Sequence, residues 1–299
     1  MFEFDLKPYL DFQRRIIDTA LVGYIKRMCP SDHMLEPVLY AVTAGGKRLR
    51  PVLCLSAAAA VGGDPEKALP AACAIEMIHT YSLIHDDLPA LDDDQLRRGK
   101  PTCHVQFSES TAILAGDTLL NMAFETLSEA GMAAQPEYYS RWLQVIQAVG
   151  KASGARGMIE GQARDLAFEG IPLELHQLQA LHELKTGALI CSCVQCGGLL
   201  GGGSDSQICK LINYASKIGL AFQVVDDILN VTGDPALLGK AVGTDQQRQK
   251  NTYPGLIGLE QSRQLAASLI DSALQALGIF DNNADPLRAI AKYIIERKR

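Results

Sequence analysis

The sequence predicts an all-α protein, a bundle of about ten helices forming a single domain over residues 1–299. Three observations predict it. Apolar residues recur at three- and four-residue spacing along most of the chain, while the alternation of a half-buried strand is nearly absent. Proline and glycine mark the ends of the periodic stretches, as at Pro51, Gly62-Gly63 and Pro65. No low-complexity linker or short-period repeat divides the chain.

Taken in order, an amphipathic stretch covers 10–27. Pro51 stands where a first helical turn begins, and the apolar run to Val61 stops at Gly62-Gly63. Asp64-Pro65 supplies a cap residue followed by proline in the first turn, which opens a long apolar helix over 64–87. Further helical patterns cover 109–131, 136–168, 173–200, 205–231, 254–277 and 285–298.

Composition narrows the function. The chain holds 28 Lys+Arg against 34 Asp+Glu, a formal net charge of -6, so it has no general attraction for nucleic acid. The opening segment MFEFDLKPYL carries acids within its first five residues and lacks the apolar core of a secretory signal. The uncharged run from Thr186 to Ser204 holds six glycines and reads as a buried helix ending in a turn, not a membrane span. Eight cysteines without a signal suit a reducing, cytoplasmic location. Cys191, Cys193 and Cys196 invite a metal-thiolate reading. On a helix, however, positions 191 and 193 lie about 200° apart, so the three read as small core residues.

The segment 84–94 is the most informative. Asp86, Asp87, Asp92, Asp93 and Asp94 place five carboxylates within nine residues at the end of an apolar helix. Two like charges about 4 Å apart repel by roughly 4 kcal/mol at an effective dielectric near 20, and the helix C-terminus disfavours negative charge further. A divalent cation removes both penalties. Pro89 ends the helix, so Asp92 to Asp94 can fold back over Asp86 and Asp87. A second pair, Asp226-Asp227, follows another apolar helical stretch 140 residues after the first. Asp226 and Asn230 are four apart and share a face, offering a carboxylate and an amide oxygen to a hard ion such as Mg²⁺.

Mg²⁺ held by few carboxylates completes its shell with waters and substrate phosphates, which calls for basic residues nearby. Arg97-Arg98 follows the first cluster. Lys47-Arg48-Leu49-Arg50 follows Gly45-Gly46 at a helix start, a position that favours anions. Lys185-Thr186 begins the uncharged run, and Lys240 and Lys250 follow the second cluster. His79 and His85 lie six apart on the first acidic helix. These features alone point to an all-α, Mg²⁺-dependent enzyme acting on diphosphates, with two acidic walls and two basic sets.

The same residues resemble the trans-isoprenyl diphosphate synthases of the polyprenyl synthetase family, most nearly its bacterial farnesyl diphosphate synthases. Gly45-Gly46-Lys47-Arg48-Leu49-Arg50-Pro51 matches the first basic motif. Asp86-Asp87-x4-Asp92 with Arg97-Arg98-Gly99 matches the first aspartate-rich motif. Gly161-Gln162-x2-Asp165, Lys185-Thr186-Gly187 and Gly219-x3-Gln223-x2-Asp226-Asp227 match the later motifs in order. The resemblance implies a helical bundle around a deep apolar cavity, usually as a homodimer, with three Mg²⁺ per site. Asp86 and Asp92 would bind two of the ions and Asp226 the third, supported by Asp87 and Asp227. Arg97, Lys185, Thr186, Gln223 and Lys240 would contact the allylic substrate, dimethylallyl or geranyl diphosphate. Lys47, Arg50, His79 and Arg98 would bind isopentenyl diphosphate, with Arg297-Lys298-Arg299 closing over that second site. The catalytic set is then Asp86, Asp87, Asp92, Arg97, Lys185, Asp226, Asp227 and Lys240. Asn230 departs from the family pattern, which has aspartate there.

Tyr81, five residues before Asp86, lies about 7.5 Å below the carboxylates on a helix and reads as the floor that limits product length to farnesyl. Small Ser82 and the insertion Pro89-Ala90 agree with bacterial C15 enzymes. The nearest rival is a geranylgeranyl diphosphate synthase. A class I terpene cyclase would not need the basic set at Lys47, Arg50 and His79. An HD-type phosphohydrolase would need further histidines converging on His85-Asp86. A non-catalytic partner subunit would be expected to lose acidic-motif carboxylates that this chain keeps.

Overall fold

The computed structural model describes residues 4–232 and 251–297; Lys240, Lys250, Lys298 and Arg299 lie outside them. The described chain is almost wholly helical, with one two-residue hairpin. Helix α1 spans Leu6–Met28, capped by Asp5, whose carboxylate accepts from the Lys7 N–H. Helix α2, Asp32–Val42, has no counterpart in the sequence reading, because Pro37 sits inside it. Helix α3 is Leu49–Ala60, with nearly every residue from Pro51 to Ala58 buried.

The single helix expected over 64–87 is two elements. Asp64 caps a 3₁₀ turn, Pro65–Ala68, and α4 runs from Leu69 to Asp86. Pro70 lacks the N–H that an unbroken helix would donate to Glu66, so the first turn tightens instead. Helix α4 is buried on every side from Ala71 to Ile78 and packs on α3 and on α6, Glu109–Ala133. Between them lie strands β1, Leu96–Arg97, and β2, Lys100–Pro101, and the short helix α5, Cys103–Gln106. The hairpin turn is Arg98-Gly99, both with positive φ, as a two-residue turn of this hand requires.

The expected helix 136–168 is also divided, into a 3₁₀ turn at Pro136–Tyr138, α7 (Tyr139–Ser153) and α8 (Met158–Ala167). The chain leaves helical dihedrals at Gly154 and Gly157. The expected helix 173–200 is α9 (Leu175–His182), one turn of π-helix (Glu183–Gly187) and α10 (Ala188–Leu200). Helix α11 is the long Asp205–Thr232. The expected 254–277 helix breaks at Gly258 (φ 83°) into α12, Tyr253–Ile257, and α13, Leu259–Ala276; α14 is Asp285–Glu296.

Helix α10 packs on α3, α7 and α11, and α11 packs on α13. The α3–α10 crossing is close because Gly197 faces the Cys54 carbonyl; a Cβ there would lie 2.0 Å from that oxygen. Cys193 and Cys196 are buried in α10, their sulfurs turned to Leu189 O and Ser192 Oγ one turn back in the same helix. No described helix is long and apolar enough to cross a membrane.

Candidate active site

The end of α4 forms the first acidic wall. Past Asp87 the chain turns at Pro89 and folds back: the Asp92 N–H donates to the Asp86 carbonyl at 2.9 Å, and the Asp93 N–H to the Leu88 carbonyl at 3.1 Å. Asp92 is thereby brought over the helix end. Asp93 takes a left-handed conformation to complete the turn (φ 50°). Burial pushes the Asp86 carboxyl up to about 6; Asp92 and Asp87 add to this, while Lys185 and Arg97 oppose it. Asp87 is fully engaged. Arg97 Nε donates to both of its oxygens at 2.8 Å, and Nη2 to Oδ1 at 2.5 Å. Asp87 therefore acts by fixing the Arg97 guanidinium beside the wall.

Lys185 reaches this wall from the π turn. In the wider π ring the Ala188 N–H bonds back to the Glu183 carbonyl, and Lys185 and Thr186 sit within that bulge. Helix α8 supports it. A Cβ at Gly161 would lie 2.3 Å from the Lys185 nitrogen, so only glycine lets the two backbones approach this closely. One turn after Gly161, Asp165 Oδ2 accepts from Lys185 Nζ at 2.6 Å. The Gly161-x3-Asp165 spacing is thus a seat for the π turn and an anchor for its lysine.

The second wall lies within α11, where Gly219, Gln223, Asp226 and Asn230 recur on one face. Asp227 turns the other way, is buried, and accepts the Tyr253 N–H at 3.0 Å. Arg297 meets this wall, a contact that the sequence expectation does not include. Its Nη2 donates to Asp226 Oδ1 at 2.7 Å and to the Phe222 carbonyl at 2.9 Å, and the guanidinium covers the Phe222 ring at 3.9 Å. The same C-terminal helix, α14, sets the Tyr293 ring 5.5 Å from Lys47 Nζ.

The basic set gathers around His79. Arg50 Nη1 donates to His79 Nε2 at 3.3 Å, while Arg50 Nε is buried without a partner among the described residues. Burial, with Arg50, Arg98 and Arg97 nearby, holds His79 well below the ordinary imidazole range, so it is neutral. With Nε2 accepting, the Nδ1–H is left as a donor. Arg98, with φ 55°, turns back and donates to the Gly45 carbonyl. Arg48, by contrast, is buried between carboxylates. A small cleft is lined by Asp87, Arg97 and Arg98 together with Tyr40, Thr80 and Cys103.

Tyr81 packs edge-on against His85, ring centroids 5.7 Å apart, and its buried hydroxyl has no partner among the described residues. His85 Nε2 lies 3.1 Å from the Ile113 carbonyl on α6. It is committed to that helix rather than to a metal with Asp86, which removes the HD-type reading. The described residues contain no cluster of three or more His, Cys, Asp or Glu able to enclose an ion. The oxygen-only donors Asp86, Asp92 and Asp226 suit an ion whose shell is finished by water and phosphate, and the buried Asp86 charge calls for a cation. Lys240 lies outside the described residues. Glu76, a buried acid one turn before His79, and Asp18 were missed; an acid inside the apolar run 71–78 was the available signal for the former.

The polyprenyl synthetase family model matches residues 31–283. The chain belongs to the polyprenyl synthetase family. It is a prenyltransferase enzyme by that membership. It is 44% identical over 296 residues to the farnesyl diphosphate synthase of Geobacillus stearothermophilus, covering 99% of this chain and 98% of that one. It is 46% identical over 297 residues to a chloroplastic geranylgeranyl pyrophosphate synthase of Arabidopsis thaliana, covering 97% and 82%. Among solved structures, the geranylgeranyl pyrophosphate synthetase of Pyrococcus horikoshii superposes with a TM-score of 0.88 at 32% identity, covering 98% of each chain. This polyprenyl synthetase is thus similar to enzymes named for C15 and for C20 products.

Proposed function

We propose that this polyprenyl synthetase is a Mg²⁺-dependent trans-prenyltransferase that couples dimethylallyl and then geranyl diphosphate to isopentenyl diphosphate, releasing diphosphate and giving (2E,6E)-farnesyl diphosphate. One observation carries this reading. Helix α4 turns Asp86 toward Lys185 and, two helical turns earlier, His79 toward Arg50. Two anion sites of different chemistry therefore share one rigid helix, separated by about 10 Å of rise. The first, acidic and partly buried, suits a diphosphate bound through metal. The second, a neutral imidazole among arginines, suits a diphosphate bound directly.

Mg²⁺ held by Asp86, Asp92 and Asp226 supplies stabilisation for negative charge on the departing diphosphate. Arg97, Lys185, Thr186, Gln223 and Lys240 hold the same group and direct N–H or O–H donors at the oxygen that leaves. The allylic C–O bond breaks heterolytically to an allylic cation. Lys47, Arg50, His79 and Arg98 hold isopentenyl diphosphate so that its alkene attacks C1 of the cation. The new carbon–carbon bond leaves a tertiary cation, which loses a proton to the released diphosphate and forms the trans double bond. Exclusion of water by the apolar helices protects the cation.

Tyr81 supports farnesyl as the product, because its ring stands on the helix below Asp86 where a growing tail would descend. A C20 product is the second reading, favoured by the likeness to geranylgeranyl synthases. The single-domain organisation, the homodimer and the cytoplasmic location belong to this same proposal; light scattering of the purified chain checks the dimer. The main test incubates the chain with Mg²⁺, labelled isopentenyl diphosphate and each allylic primer. C15 product from dimethylallyl and geranyl diphosphate is expected, and Tyr81→Ala should lengthen it. Predominant C20 product would overturn the farnesyl assignment, and absence of coupling would overturn the whole proposal.

A further inference from the structure

The basic motif contains one cation that does not face the candidate substrate site. Arg48 is buried at the start of α3 in a left-handed conformation (φ 51°, ψ 34°) that non-glycine residues rarely adopt. Its guanidinium joins three separate elements. Nε donates to Asp18 Oδ1 on α1 at 2.8 Å, Nη1 to Glu76 Oε1 on α4 at 2.8 Å, and Nη2 to the Val42 carbonyl at the end of α2 at 2.5 Å. With two carboxylates and a carbonyl already on it, Arg48 is satisfied internally.

Its neighbours are the groups that matter. Lys47 precedes it, and Arg50 follows two residues later, touching His79. Glu76 and His79 lie one turn apart on α4, so one turn of helix anchors Arg48 and the next meets Arg50. From outside, Arg98 donates to the Gly45 carbonyl in the same loop. The segment 45–50 is thus pinned by Arg48 within and by Arg98 without. Glu76 also lies close enough to Arg50 and Arg98 for its charge to offset theirs.

We infer that Arg48, locked to Glu76 and Asp18, is a positioning residue for the isopentenyl diphosphate site: it holds the 45–50 segment in its left-handed turn so that Lys47, Arg50 and Arg98 converge on one diphosphate. This deepens the proposed function and rests on it. The prediction is selective. Loosening the anchor weakens the directly bound diphosphate and leaves the site at Asp86 and Lys185 in place.

Arg48→Lys tests it, because lysine keeps a charge beside Glu76 but cannot span three acceptors. Isopentenyl diphosphate affinity is measured by calorimetry without metal, alongside KM for each substrate, kcat and thermal unfolding. Arg48→Lys should raise Kd and KM for isopentenyl diphosphate about tenfold, with KM for geranyl diphosphate and kcat changed less than about twofold. Asp18→Asn, which weakens a single contact, should move the same two constants about threefold in the same direction. Unchanged isopentenyl affinity in a folded Arg48→Lys chain overturns the inference, as does an equal rise in both KM values. Should Arg48→Lys fail to fold, Asp18→Asn decides: a selective rise supports the anchor, and no selective rise overturns it. Wild-type protein that does not bind isopentenyl diphosphate overturns the parent proposal instead.

Discussion

The two acidic walls are built in opposite ways. The first lies at a helix end and is finished locally: Asp87 finds Arg97 ten residues on, and Asp92 folds back onto Asp86 through a turn that Pro89 initiates. The second lies inside the unbroken helix α11 and is finished from afar. Asp227 takes the Tyr253 N–H 26 residues later, and Asp226 takes Arg297, 71 residues later. A wall completed by its own loop keeps its geometry as long as that loop is folded. A wall completed by a distant chain end depends on how that end docks, and Arg297 already occupies a carboxylate that the proposed ion would need.

Four experiments would break or sharpen this contrast. The largest effect is expected from the carboxylates. Asp86→Ala should lower turnover by roughly 10³-fold, and Asp226→Ala by roughly 10²-fold, if the first wall carries more of the leaving-group charge. Equal losses in kcat would mean that the walls contribute alike. Next, Arg97→Lys should cost about tenfold in kcat, since lysine cannot reproduce the fork on Asp87; activity matching wild type would show that Asp87 needs no fixed partner. Third, Arg297→Gln should lower the Mg²⁺ concentration for half-maximal turnover by about threefold, because the competing guanidinium is gone. A higher requirement in a metal titration would show that Arg297 assists the ion rather than competes with it.

The smallest effect concerns pH. The folded Asp86 carboxyl titrates at about 6 against an unfolded value of 3.8, so its favourable contribution is complete below 3.8 and is lost as pH rises through about 6. In the presence of a chelator, Asp86→Asn should therefore raise Tm by about 2–4 °C at pH 7.5, with the gain disappearing near pH 4. A gain of the same size at both pH values would show that ionisation of Asp86 is not its source.

What the sequence disclosed follows the same division. Helix class, the paired acidic motifs and the basic run were legible, because each is carried by residues adjacent in the chain or spaced by helical turns. The fold-back of Asp92 was legible through Pro89. The divided helices were not: Gly154, Gly157 and Pro70 act through local backbone geometry inside stretches whose apolar spacing continues unbroken, and Pro37 hid α2. Arg297 was noticed as a basic terminus, but its partner Asp226 was not, because nothing in its own neighbourhood names a residue on α11. Arg48 looked like its neighbours Lys47 and Arg50, and only the positions of Asp18 and Glu76 separate an anchoring cation from the two that the proposed function assigns to substrate.

The π turn at Glu183–Gly187 has one residue more than an α-helical turn would hold. Shortening that stretch by a single residue would let α9 and α10 merge into one regular helix, with the backbone hydrogen bonds re-formed. The flanking helices would keep nearly the same rotation about the axis, because the wide turn takes up its extra residue locally, but the bulge that presents Lys185 and Thr186 would be gone. A deletion that is conformationally mild would thereby unseat a lysine, which makes this surplus residue a point of vulnerability that ordinary substitution scanning would overlook.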